Sequence, residues 1–164
     1  MLYQLSSKTA YNKPMKQLAR NPRATFDYDL GEHLVAGVAL AGHEVKSLKA
    51  GSASLKGSFI TLKNGEAYLL GSHITPYAHA ERKADIDPTR QRKLLLHRRQ
   101  LDDLQAARDR GQSLVPVAFL LDKNLIKLEL AIGTGKKRYD KREAIKRRDT
   151  DRDTNRDLAK FARG

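Results

Sequence analysis

The sequence predicts a mainly β fold with flanking helices (α+β): a small OB-like antiparallel barrel followed by a basic C-terminal tail. Three observations carry this. Six or so short apolar runs recur between glycines and turn residues, the texture of a small barrel. A single stretch, Thr89–Arg110, shows apolar residues at helical spacing between strands. Beyond Gly133 the composition changes again and becomes densely charged. A ferredoxin-like sandwich is the alternative, and it requires two long helices.

Residues 1–20 read as a loose basic leader, with turn signals at Tyr11-Asn12-Lys13-Pro14 and Asn21-Pro22. The body spans residues 21–134. From Thr25 the alternation of Phe26, Tyr28 and Leu30 with Asp27 and Asp29 has period two, hence a strand with one buried face. Leu34–Leu40 continues as a buried strand, and Gly37 and Gly42 mark a bulge or sharp bend. Glu44–Ala50 reads as a short helical turn closed by Gly51. Asn64-Gly65 between Ser58–Lys63 and Glu66–Gly71 predicts a hairpin, because both turn residues must tolerate positive φ. His73–Tyr77 is one more strand stopped by Pro76, and residues 78–88 form a polar loop.

Thr89–Arg110 is predicted as one helix. Leu94, Leu95, Leu101 and Leu104 form its stripe, Asp87 or Thr89 caps it, and Gly111 ends it. Ser113–Leu121 and Leu125–Ile132 make a second hairpin through Asp122-Lys123-Asn124. The tail, residues 135–164, holds 12 basic and 6 acidic side chains, with no large apolar residue between Ile145 and Leu158. Such a segment buries too little surface to offset its ordering entropy. Glu143 four before Arg147 and Asp149 three before Arg152 still give helical charge spacing. The tail is therefore expected to be disordered alone and helical when docked; a stable helix packed on the body is the other reading.

Composition narrows the function. The 164 residues contain 32 Lys and Arg against 19 Asp and Glu, a formal net charge of +13. The pI near 10.1 is that of a nucleic-acid binder. With no Cys, thiol nucleophiles, disulfides and Cys-ligated metals are excluded. The longest apolar stretches, Leu34–Gly42 and Leu114–Leu121, fall far short of the ~20 residues of a membrane helix. The expectation is a cytoplasmic protein, monomeric when free, with a polyanionic partner rather than a membrane surface.

Catalytic motifs fail on inspection. Gly133-Thr134-Gly135-Lys136 lacks the earlier Gly and the following Ser or Thr of a phosphate-binding loop. The five His show no metal-ligand spacing. Asp102-Asp103 and Asp85/Asp87 leave a metal-dependent nuclease as a minor reading. No enzyme, cofactor or metal is expected. Three basic clusters are the stronger signal: Arg90, Arg92, Lys93, Arg98 and Arg99; Lys46 and Lys49; and Lys136, Lys137, Arg138, Lys141 and Arg142. Together they neutralise several phosphates, which makes affinity fall steeply with salt. The few aromatics form no stacking row, so shape and phosphate recognition of folded RNA is favoured.

Five motifs in order now carry a resemblance. They are Gly42-His43-Glu44-Val45-Lys46-Ser47-Leu48-Lys49-Ala50-Gly51, Asn64-Gly65-Glu66-Ala67, His73-Ile74-Thr75-Pro76-Tyr77, Asp87-Pro88-Thr89-Arg90-Gln91-Arg92-Lys93-Leu94-Leu95-Leu96-His97 and Gly135-Lys136-Lys137-Arg138-Tyr139-Asp140-Lys141-Arg142. The chain resembles the SsrA-binding protein (small protein B) family from about Asn21 to Asp149. The resemblance implies an OB-like barrel that binds the tRNA-like domain of transfer-messenger RNA and delivers it to stalled bacterial ribosomes for nascent-peptide tagging. It implies no catalysis by the protein itself. By motif, Asn21, Tyr28, Lys46, Arg92, Lys93 and Leu95 are expected to contact that RNA. Leu95 has core packing as its second reading. Gly135, Lys136, Lys137, Tyr139, Asp140, Lys141 and Arg142 are expected in the mRNA channel and decoding centre, against small-subunit rRNA. The chain departs from the family at Val35, where an acidic residue is frequent, and at Pro22, where a basic one is. A general structured-RNA or ribosome-associated module without rescue function is the alternative.

Overall fold

The computed structural model describes residues 15–161, without the side chains of residues 138, 139, 157, 160 and 161. The turn expected at Tyr11–Pro14 lies outside the described residues. Strand β1 (Lys16–Arg20) corrects the last five residues of the expected loose leader: it pairs antiparallel with β8 (Ser113–Asp122), Lys16 opposite Leu121. The alternation at Phe26 is also corrected. Ala24–Asp27 forms the short helix α1, and β2 (Tyr28–Val38) starts only at Tyr28. Ala24 is buried there, so the turn is held by packing that a period-two count does not see.

Strand β9 (Leu125–Gly135) runs along β2 and β8. Ile126, Leu128, Leu130 and Ile132 alternate into the main core, as their spacing predicts. Helix α2 (Gly42–Lys49) and its stop at Gly51 (φ 77°) match the expected turn. Strands β4 (Phe59–Lys63) and β5 (Glu66–Leu70) form the predicted hairpin, with Asn64 at φ 52° and Gly65 at φ 70°. Two-residue strands β3 (Ala53–Ser54) and β6 (His73–Ile74) pair with each other, shortening the strand expected to Tyr77.

The largest correction falls on Thr89–Arg110. Its first part is strand β7 (Arg92–Leu95), between β2 and β5; helix α3 begins later, at Arg98–Asp109. Asp87 does not cap a helix. Its Oδ1 accepts from the Thr89 N–H and hydroxyl, both at 2.9 Å, in a local turn. The helix start is instead tied by the Gln100 side-chain oxygen, which accepts the His97 N–H at 3.0 Å. Gly111 (φ 79°) ends α3 as predicted.

The main sheet runs β1-β8-β9-β2-β7-β5-β4, all antiparallel, and curls until β4 lies beside β8 without pairing to it. Its bulges do not fall at Gly37, and Gly42 opens α2. Ladder shifts place the bulges at Gly31-Glu32 in β2, Val117 in β8 and Leu18 in β1. Gly37 serves another purpose: it faces both Leu95 and Lys127, and a Cβ there would sit 3.1 Å from the Leu95 Cβ. Leu48, Leu69, Leu104, Phe119 and Leu128 fill the interior, fully buried. A second cluster, Ala24, Val35, Val115, Val117 and Leu120, packs the opposite face of β8 and β9. Helix α4 (Arg138–Phe161) extends from the end of β9. Among the described residues, no helix is long and apolar enough to cross a membrane.

Candidate nucleic-acid interface

Strand β7 sorts the predicted RNA contacts by its pleat. Arg92 and Leu94 point inward; Lys93 and Leu95 point out. Arg92 is fully buried. Its guanidinium donates to Glu44 Oε1 from Nε (3.0 Å) and Nη2 (2.8 Å). Nη1 donates to the Ser72 carbonyl and hydroxyl and the Arg90 carbonyl, and Nη2 also to the Pro88 carbonyl. Nothing remains for a phosphate, so Arg92 is corrected from an RNA contact to a structural pin. Asn21 is likewise buried. Its amide donates to the Pro116 carbonyl at 2.8 Å and its side-chain oxygen accepts the Arg23 N–H at 3.1 Å. It joins β8 to α1 and is 5% exposed.

Glu44 is the anchor that sequence reasoning passed over. Its side chain is 2% exposed and accepts from Arg90, Arg92 and the Ala41 N–H. Burial pushes the carboxyl pKa up. The hydrogen bonds from Arg90, Ala41 and Arg92 outweigh burial and hold it below its ordinary value. Arg90 stays 40% exposed while its fork grips Glu44 at 2.6 Å.

The outward face of β7 carries Lys93 and Leu95. Leu95 is 55% exposed, which removes its core-packing reading. It borders a groove of about 550 Å³ with Val35, Gly37, Lys93, His97 and Lys127. Lys93 pairs with Glu66, which also accepts from Tyr68 Oη. Hydrogen bonds from Lys93 and Tyr68 lower the Glu66 pKa, and the same bonds raise those of Lys93 and Tyr68. Val35, the departure from the family pattern, is buried opposite Glu129 in the ladder, and Glu129 is paired with His33 at 2.8 Å. Elsewhere, exposed Lys46 on α2 places its ammonium 5.4 Å from the Tyr77 ring centre. Tyr28 is half-buried beside Asn21, Phe59 and Pro116 in a smaller recess.

At the tail, Gly135 pairs with Tyr28 at the end of the β2–β9 ladder. Lys136 donates its N–H to the Asp27 carbonyl (2.9 Å) and its ammonium to the Thr25 carbonyl (2.8 Å). Asp140 Oδ2 accepts the Lys137 N–H at 3.3 Å, and Lys141 pairs with Asp27 at 3.1 Å. Lys137 and Arg142 are exposed; the Tyr139 side chain lies outside the described residues. The basic cluster expected on one helix is split: Arg98 and Arg99 open α3, with Arg98 paired to Asp102. Among the described residues, no three His, Cys, Asp or Glu are grouped to hold a metal ion.

A curled antiparallel sheet with an exposed lysine–leucine strand face and a charged helical arm defines a class, the small RNA-binding barrels. The SmpB protein family model matches residues 18–160, and the chain belongs to that family. SsrA-binding protein from Oleidesulfovibrio alaskensis is 47% identical over 142 residues, 86% of this chain and 91% of that one. Its counterpart in Pseudomonas aeruginosa is 48% identical over 144 residues, 87% and 91% of the two chains. The solved structure described as "tmRNA-SmpB: a journey to the center of the bacterial ribosome" superposes with a TM-score of 0.62 at 38% identity, over 81% of this chain and 95% of that one.

Proposed function

We propose that this chain binds the tRNA-like domain of transfer-messenger RNA and delivers it to stalled bacterial ribosomes for trans-translation. One observation carries the reading: near-50% identity to SsrA-binding proteins over body and arm together, residues 18–160 being the family match. Lys93 and Leu95 on β7, with Lys46 on α2, contact the RNA from the body (residues 21–134). The tail (residues 135–164) enters the mRNA channel and decoding centre, where Lys137, Tyr139 and Arg142 meet small-subunit rRNA. The protein supplies position and charge neutralisation and leaves peptidyl transfer to the ribosome.

The test is a titration of the full chain with transfer-messenger RNA and an unrelated structured RNA at two salt concentrations. Preference for the first, with affinity falling as salt rises, is the expected result. Equal affinity for both would instead favour a general RNA-binding module. Mg²⁺-dependent cleavage of either RNA would overturn the non-catalytic assignment.

A further inference from the structure

We infer that Asp27 is a positioning residue: it clamps the root of α4 to α1 and sets the direction in which the arm leaves the barrel. Its readout in tagging rests on the rescue function proposed above; its geometry does not. The Asp27 carboxylate forms an ion pair with Lys141 at 3.1 Å and lies 3.9 Å from Arg23. Its carbonyl accepts the Lys136 N–H, and the Thr25 carbonyl accepts the Lys136 ammonium. Both carbonyls belong to α1, a one-turn helix whose carbonyls have no intrahelical partner and favour a cation. Two tail lysines thus engage the body.

The clamp sits at the short end of a lever. Helix α4 spans 24 residues, and among the described residues Lys141 is the last of them paired to the body. At ~1.5 Å per residue the arm is roughly 36 Å long, so a 10° swing at its root moves the tip by about 6 Å. A loose root spreads the exposed cations over many directions; a held root aims them. Lys141 therefore acts through the Asp27 carboxylate and Lys136 through the Thr25 and Asp27 carbonyls, whereas Lys137 and Arg142 remain open to RNA.

A double-mutant cycle on the full chain tests this, using Asp27→Ala, Lys141→Ala, the double variant, and Asp27→Glu. Without RNA, pulsed electron paramagnetic resonance between labels at Lys63 and Arg147 reads the arm direction. A narrow wild-type distance distribution that broadens in each single variant and sharpens again in Asp27→Glu is expected. In a reconstituted stalled-translation assay, each single variant should tag about fivefold less, as fits one half-exposed ion pair. The double should be no worse than the weaker single, because both remove one interaction. Transfer-messenger RNA affinity should stay within twofold. An unchanged or already broad distribution, or a multiplicative loss of about 25-fold in the double, would overturn the clamp. If the wild type neither binds the RNA nor supports tagging, the rescue reading fails while the distance measurement still decides the clamp.

Discussion

Two arginine-rich regions of this protein treat charge in opposite ways. At the β7–α2 contact, Arg92 is sealed in the body and every donor of its guanidinium is taken by protein oxygens. Along α4, Arg142, Lys146, Arg147 and Arg148 lie in solvent. Both regions look equally basic as sequence. The first spends its cation on holding a strand to a helix; the second keeps its cations for a partner. Charge density therefore locates a polyanion-binding protein, and burial decides which charges do the binding.

The sharpest way to break this contrast is to remove the arm. Deleting residues 138–164 spares Gly135 and hence the β9 ladder to Tyr28. Tagging should vanish while transfer-messenger RNA affinity changes by less than about threefold, read by filter binding. Loss of both together would mean that body and arm do not divide the work.

Next in size is the buried anchor. Glu44→Ala strands Arg92 without its counter-charge, and urea unfolding should show a loss of about 3–5 kcal/mol. Because the Glu44 pKa is lowered by folding, its contribution is complete above the ordinary carboxylate value of 4.5 and is lost as pH falls through the lowered one. Glu44→Gln should remove that part of the acid-side fall in stability, seen as a flatter profile of midpoint against pH.

Smaller still is the exposed face of β7. Lys93→Ala and Leu95→Ala should each weaken RNA binding about 5- to 10-fold with little change in melting temperature. Lys93→Ala should also reduce the salt slope by about one. A fall in melting temperature instead would place Leu95 in the core after all. The least change is expected from Glu66→Gln, which releases Lys93 from its pair: melting should not move, and RNA binding should tighten slightly in a low-salt titration.

Particular residues show what could be read in advance. The Asn64-Gly65 hairpin was legible because positive φ is a local demand, met at Asn64 and Gly65; in the Asp122-Lys123-Asn124 hairpin the positive φ falls on Lys123, a residue type that does not announce it. Gly51 and Gly111 were legible for the same reason as Asn64-Gly65. Strand β7 was not. A buried arginine reads as polar, so Arg92-Lys93-Leu94-Leu95 lost its period of two and borrowed the helical spacing of the leucines beyond it. The bulges at Gly31-Glu32, Val117 and Leu18 are properties of two strands compared, which no single run of residues displays.

By itself, the sequence determined a basic, cysteine-free, mostly β chain with a charged extension, because composition, alternation and turn chemistry act over a few residues. Only the tertiary structure decided that Arg92 and Asn21 hold the body together, that Leu95 faces outward, and that Asp27 meets Lys141. Those outcomes depend on pairs such as Glu44 with Arg92, 48 positions apart, and Asp27 with Lys141. Whether a charge is spent or free is set by what folds against it.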